Sequence, residues 1–223
     1  MSNELRQVSP TKLNILNACP RCFWLQEVKK IKRPSTPFPT ILMKMDKLTK
    51  EVFDRARMKG EWFSDNEGGT GILYPDLEKL NKWRNWRQGL QAEFPDIGIK
   101  LIGALDDVVV VDGKHCPLDY KTRGYAPRTD GSEYYQSQLD LYSLLLESNG
   151  YETSRYGYLV YVYLISMERL DSAVFTTQTF KIECSIDNAK KLLVKASEIL
   201  NMDTSPEPSP ECSYCGYVDK LNS

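Results

Sequence analysis

Apolar and polar positions alternate with helical and strand periods in separate stretches of the chain. In SPTKLNILNACPRCFWLQ, from residue 9, Ser9 or Thr11 can cap a short helix. Pro10 suits its first turn, and Leu13 and Leu16 fall at helical spacing. IKRPSTPFPT, residues 31–40, holds three prolines and predicts a loop. Residues 41–58 predict a helix with Leu42, Met45, Leu48, Val52 and Phe53 on one stripe. Gly60, Gly68, Gly69 and Gly71 predict a loop over 60–75, and residues 76–92 predict a helix with Leu77, Leu80, Trp83 and Leu90 inward.

Residues 99–122, IKLIGALDDVVVVDGKHCPLDYKT, predict a β-hairpin. An apolar run leads into GALDD, a strand covers Val108–Val111, Asp112-Gly113 turns the chain, and a second strand runs through Asp119 and Lys121. Asp-Gly between two strand-like runs is a strong hairpin signal. After the polar loop TRGYAPRTDGSE, residues 133–148 predict a helix. Strands are expected over 156–164 and 174–183, and an amphipathic helix over 187–200. SPEPSPE then forms an extended proline linker. There is no internal repeat and no sign of a second domain boundary.

The 223 residues, 41% hydrophobic and 26% charged, suit a globular chain with one core. No apolar run nears the ~20 residues of a membrane span, and MSNELRQVSP lacks a signal-peptide core, so a cytoplasmic protein is expected. Net charge is −1 but unevenly spread: residues 1–60 hold 13 Lys+Arg against 5 Asp+Glu. A basic N-terminal third, with Lys29, Lys30, Lys32 and Arg33 close together, suits a polyanionic partner. An ordinary solvated helix face is the other reading.

Successive strand residues point to opposite faces, so Asp119 and Lys121 share one, and pairing can bring Asp106 beside them. Two carboxylates offer hard oxygen ligands to Mg²⁺ or Mn²⁺, and the lysine can orient a water or stabilise negative charge. A surface hairpin with a solvated salt bridge is the alternative. Gln138 and Tyr142 lie four residues apart on one helix face. Trp83 and Trp86 with Arg84 and Arg87 can stack on bases, although Trp83 fits a core position. GEWFSDNEGGTG lacks the Gly-Lys-Ser/Thr ending of a phosphate-binding loop.

Of six cysteines, four form two Cys-x-x-Cys pairs, Cys19/Cys22 and Cys212/Cys215. That spacing reads as metal before disulfide: a structural Zn²⁺ or an iron–sulfur cluster. Two unrelated pairs of thiols are the alternative. Cys116 and Cys184 fall in predicted strands and suit core positions.

The order Gly103…Asp106, Asp119-x-Lys121, Gln138…Tyr142, preceded by Ser9…Leu13 running into Cys19-Pro20, resembles the PD-(D/E)XK nuclease superfamily in its RecB-like branch. The resemblance implies an α/β, restriction-endonuclease-like core with a mixed central β-sheet flanked by helices, residues 1–223 forming one domain. It implies metal-dependent hydrolysis of DNA phosphodiester bonds, exonucleolytic, in DNA processing, repair or CRISPR-type defence. Asp106, Asp119 and the Tyr120 carbonyl would then hold Mg²⁺ or Mn²⁺, Lys121 would act on the water or the charge, and Gln138 and Tyr142 would support the site. The branch often places a histidine on the preceding helix. The matching position is near Lys50-Glu51, with Glu51 as an acidic substitute. CRISPR-associated RecB-like exonucleases with four cysteines are similar, although their usual pattern is one N-terminal and three C-terminal cysteines, against two and two here. A 4Fe–4S cluster is favoured over Zn²⁺. The expected partners are DNA, single-stranded favoured, and a protein of helicase or integrase type. A catalytically silent DNA-binding or assembly module and a zinc-binding adaptor remain as alternatives.

Overall fold

The computed structural model describes residues 4–35, 37, 39–65 and 69–221, so Thr36, Phe38 and Gly68 of the expected loops lie outside the described residues. Ser9 opens the first helix as its sequence suggests: its Oγ accepts from the Lys12 N–H at 3.4 Å, and Pro10 occupies the first helical position. A short strand, β1 (Arg6–Val8), precedes α1 (Pro10–Ala18), and α2 (Pro20–Glu27) follows after the extended Cys19.

Helix α3 (Thr40–Met58) departs from the predicted stripe. Leu48 and Val52 are exposed, whereas Thr49 and Arg57 are buried. Its inward face packs Phe53 and Ala56 on the apolar cluster around Tyr120, and it also carries charge because Lys50 and Arg57 turn toward Asp106 and Asp107. The glycine-rich stretch after it is partly sheet: β2 (Trp62–Ser64) pairs with β3 (Thr70–Leu73), Phe63 opposite Gly71. A Cβ at Gly71 would stand 2.5 Å from Val109 Cγ1, so glycine here marks close approach rather than a loop. Helix α4 (Leu77–Arg84), capped by Asp76, is shorter than predicted; Leu90 belongs to a strand, β4 (Leu90–Phe94).

Strand β5 (Ile99–Gly103) does not join the hairpin that follows it. It pairs with β1 and β4 in a three-stranded sheet. The hairpin is β6 (Asp107–Val111) and β7 (Lys114–Arg123), with Val111 opposite Lys114. Asp112 at φ 50° and Gly113 at φ 79° both take the left-handed conformation that a two-residue hairpin turn requires. β7 pairs in parallel with β8 (Tyr156–Arg169), which obliges a crossover, and α5 (Ser132–Ser148) supplies it. β9 (Ser172–Glu183) completes a six-stranded mixed sheet, β2-β3-β6-β7-β8-β9. Helices α6 (Ile186–Leu200) and α7 (Ser213–Leu221) close the chain.

The result is a mixed α/β fold, a curled mixed sheet flanked by helices. Residues 139–146 of α5 are buried without interruption, because the helix packs between both sheets and against α1 and α6. Cys116 is buried in β7; Cys184 lies just past the end of β9 and is partly buried. No helix among the described residues is long and apolar enough to cross a membrane.

Candidate active site

The Asp106-Asp107 doublet separates into two roles. Asp107, fully buried, accepts from Arg57 Nη2 at 2.6 Å, Arg84 Nη2 at 3.2 Å and Tyr120 Oη at 2.6 Å. Arg84 also grips both oxygens of Asp54, at 2.8 and 3.0 Å. Two guanidiniums against two carboxylates balance this network internally, and its fully desolvated members anchor the start of β6. Asp106 is the one that keeps some exposure, 20% of its side chain. Its Oδ2 accepts the Tyr120 N–H at 3.2 Å, and its Oδ1 pairs with Lys50 Nζ at 2.8 Å.

Because β6 begins only at Asp107, the Tyr120 N–H looks past the end of the ladder toward Asp106. N–H and C=O of one strand residue face the same neighbour, so the Tyr120 carbonyl shares that edge with Asp106. Asp119, 1% exposed, points to the adjacent face. Gln138 Nε2 donates to Asp119 Oδ1 at 2.7 Å, and Lys121 Nζ forms an ion pair with Oδ2. Gln138 Nε2 also reaches Tyr142 Oη at 2.8 Å, which in turn donates to the Ala104 carbonyl at 2.9 Å. Lys121 Nζ also lies 4.6 Å from the ring centre of Tyr135. Gly103 lets α5 come this close: a Cβ there would sit 2.5 Å from Leu145 Cδ1 and 3.3 Å from the Tyr142 ring.

Electrostatics follow from this crowding. Burial, and then the adjacent Asp106, push the Asp119 carboxyl up to about 7, against the pull of Lys121. Burial works against the charge on Lys121, but Asp119 and Asp106 outweigh it and hold the ammonium above its ordinary value. Lys50 is shifted upward in the same way, with Asp106 the dominant partner against burial. Two carboxylates forced together in a buried place gain from a cation between them, which is the chemistry of a hard-metal site. The chain supplies two carboxylates and a main-chain oxygen, leaving the remaining positions of an oxygen-coordinated ion to water or phosphate.

Asp106, Asp119, Lys121, Gln138, Tyr142 and Tyr120 therefore converge as the sequence predicts. Glu51 does not join them: its carboxylate is nearly half exposed, 3.9 Å from Lys47. Helical phase turns Lys50, not Glu51, toward Asp106. Sequence reasoning missed Asp54 and Arg57, and it did not place Lys50 or Arg84 against the carboxylates they pair with. The spacing of 50, 54 and 57 along α3 was the available signal, a charged stripe three and four residues apart.

A second cluster joins the chain's ends. Cys19 and Cys212 each stand just before a helix, and Cys22 and Cys215 lie in the first turns of α2 and α7. The four buried thiols lie within 4.8 Å of one another, with Sγ–Sγ separations of 3.6 Å from Cys22 to Cys212 and to Cys215, and 3.8 Å from Cys19 to Cys215. These are far beyond the ~2.05 Å of a disulfide. They match the edges of a tetrahedron about one ion with sulfur ligands at ~2.3 Å. A 4Fe–4S cube takes the same four thiolates. Burial opposes ionisation of Cys19, yet N–H donors from Cys22 and Ser209 outweigh it and bring the thiol down to about 7.

Arg33 belongs to this cluster rather than to a free basic surface. Its Nη2 lies 3.9 Å from Cys212 Sγ, and its guanidinium stacks 4.8 Å from the centre of Tyr214. Lys29 lies over the Trp24 ring, Lys30 bonds the Glu27 carbonyl at 2.7 Å, and Lys32 is exposed. Trp83 is core, as expected, and Arg84 is committed to its carboxylates, leaving Trp86 and Arg87 at the surface.

The sequence model of the PD-(D/E)XK nuclease superfamily matches residues 40–219. The chain belongs to this superfamily. The matched span contains Asp106, the Asp119-x-Lys121 strand and α5, and it begins after the first cysteine pair. Members of the PD-(D/E)XK superfamily are usually nucleases and usually use divalent metals. No curated protein matches the chain. Among solved structures, the chain is similar to one described as the crystal structure of SSO0001, at 16% identity and a TM-score of 0.49, covering 96% of this chain and 85% of that one.

Proposed function

We propose that this PD-(D/E)XK protein is a Mg²⁺- or Mn²⁺-dependent deoxyribonuclease of the RecB-like branch, acting as an exonuclease in DNA processing, repair or CRISPR-type defence. The observation that carries the reading is the meeting of Asp106, Asp119, Lys121 and Gln138 at one edge of the sheet. Asp106, Asp119 and the Tyr120 carbonyl would hold the ion. When bound, it would acidify a water and stabilise negative charge on the phosphorus. Gln138 fixes the rotamer of Asp119, and Tyr142 fixes Gln138 against the Ala104 carbonyl. Lys121, held above its ordinary pKa, stays protonated at neutral pH and can orient the water or meet the developing charge. The DNA path, with single strands favoured, would use Lys29, Lys30 and Lys32, and the partner would be of helicase or integrase type.

The cysteine cluster would hold one structural metal centre, zinc or a 4Fe–4S cluster, tying α2 to α7 within a single domain. Four buried thiols without disulfides support it.

The decisive test is incubation of anaerobically purified protein with labelled single- and double-stranded DNA, with Mn²⁺, Mg²⁺ or EDTA. Metal-dependent cleavage is expected. A second reading, a silent DNA-binding module, is favoured by the ammonium groups that already pair with both carboxylates. Tight DNA binding without cleavage under any metal would establish that reading instead.

A further inference from the structure

Lys50 occupies an unusual place. Its ammonium, with the side chain 22% exposed, sits 2.8 Å from Asp106 Oδ1 and 2.9 Å from Asp46 Oδ2. Both carboxylates of the hairpin site are thus already covered, Asp106 by Lys50 and Asp119 by Lys121. The neighbouring Asp107, Arg57, Arg84 and Asp54 cancel among themselves. What remains at the site is three carboxylates, Asp46, Asp106 and Asp119, against two ammonium groups, a balance of one negative charge once Asp119 has lost its proton, as it must to hold a metal.

We propose that Lys50 is a tethered cation that a divalent metal must displace from Asp106, and that it thereby sets the metal affinity of the site. The inference rests on the carboxylate-metal reading above. On that reading, entry of a dication carries the site from one negative charge to one positive, with Lys50 turned away from Asp106 but still nearby. A site with one positive charge matches the single negative charge of a phosphodiester. Without Lys50, the same carboxylates would hold the dication more tightly and the loaded site would be neutral. Lys50 thus exchanges metal affinity for attraction to the substrate.

The size of the effect follows from Coulomb's law. One unit charge ~5 Å from a dication, even at the dielectric constant of water, changes the affinity by about tenfold or more. The test is Mn²⁺ titration of the full chain, followed by the electron paramagnetic resonance of free Mn²⁺ at fixed ionic strength. Lys50→Gln is expected to bind Mn²⁺ at least about tenfold tighter than wild type. Lys47→Gln, one turn earlier on the same helix and paired with Glu51, is expected to bind as wild type does. Asp106→Asn is expected to lose the Mn²⁺ site. Unchanged or weaker Mn²⁺ binding by a folded Lys50→Gln, while Asp106→Asn loses the site, overturns the role of Lys50 and leaves the metal site standing. Undiminished Mn²⁺ binding by Asp106→Asn overturns both. Should Lys50→Gln keep wild-type Mn²⁺ affinity but bind DNA more weakly, Lys50 is a phosphate ligand and the proposal fails.

Discussion

At the scale of single residues, adjacent side chains in this chain do opposite work. Asp106 stays partly exposed while Asp107 is locked under two arginines, and Lys50 faces Asp106 while Glu51 faces solvent. Asp119→Ala and, separately, Lys121→Ala should each reduce cleavage ~10²-fold or more while leaving the fold in place. Wild-type rates in nuclease-free preparations of either variant would refute the assignment. Stability should also report the state of Asp119. Its folded pKa of about 7 lies above the ordinary 3.8, so the native state retains a proton that the unfolded chain releases. Stability should therefore fall as pH rises from about 4 to about 7, and added Mn²⁺ should oppose that fall. Urea midpoints at pH 5 and pH 7.5, with and without Mn²⁺, measure it; a rise with pH in the metal-free titration would contradict the burial of Asp119.

At the scale of elements, the site depends on how closely α5 approaches β5 and β7. Gly103 leaves no room for a side chain against Leu145 and Tyr142, and Tyr142 is the end of the chain of hydrogen bonds that fixes Asp119. Gly103→Ala should cost ~1–3 kcal/mol by overpacking and should lower activity by shifting Gln138. Chemical denaturation with a parallel cleavage assay checks both, and an unchanged midpoint would mean that the helix can yield. Helix α3 is the other deciding element. Its inward face mixes Phe53 and Ala56 with Thr49, Lys50 and Arg57, so an amphipathic stripe drawn through Leu48 and Val52 selects partly the wrong side.

For the whole molecule, the cysteine cluster links residues almost two hundred positions apart. Its loss should loosen the domain as a unit rather than one loop. Replacing one cysteine in each pair, Cys19→Ser and Cys212→Ser, should lower bound metal and melting temperature together. About four irons with acid-labile sulfide would identify a cluster, one zinc a structural ion, and neither metal in protein purified without oxygen would dismiss the site. DNA affinity should fall steeply with salt. Charge reversal at Lys29, Lys30 and Lys32 should weaken it and flatten the slope, by ~0.7–0.9 for each phosphate no longer neutralised. Arg33 is excluded from this set because reversing it would disturb the thiols instead. An unchanged slope would place the DNA elsewhere.

Local chemistry was enough to write the hairpin, α5, α6 and the cysteine pairs into the sequence. Asp-Gly forces its turn, period-two alternation sets the faces of β7, and a residue pair four apart must share a helix face. Asp119, Lys121, Gln138 and Tyr142 were legible for that reason: each lies on a regular element whose phase is fixed locally. The strands β2 and β3 were not, because their glycines look like a loop until Val109 is placed against Gly71. Nor was the choice of Lys50 over Glu51, the pairing of the buried Asp107 with two arginines, or the place of Arg33 as a neighbour of thiols. Those depend on which distant charge stands opposite, and a buried charge is tolerated only beside its partner. Arg57 and Arg84 reach Asp107 across 50 and 23 positions of sequence, and only the tertiary fold brings them there.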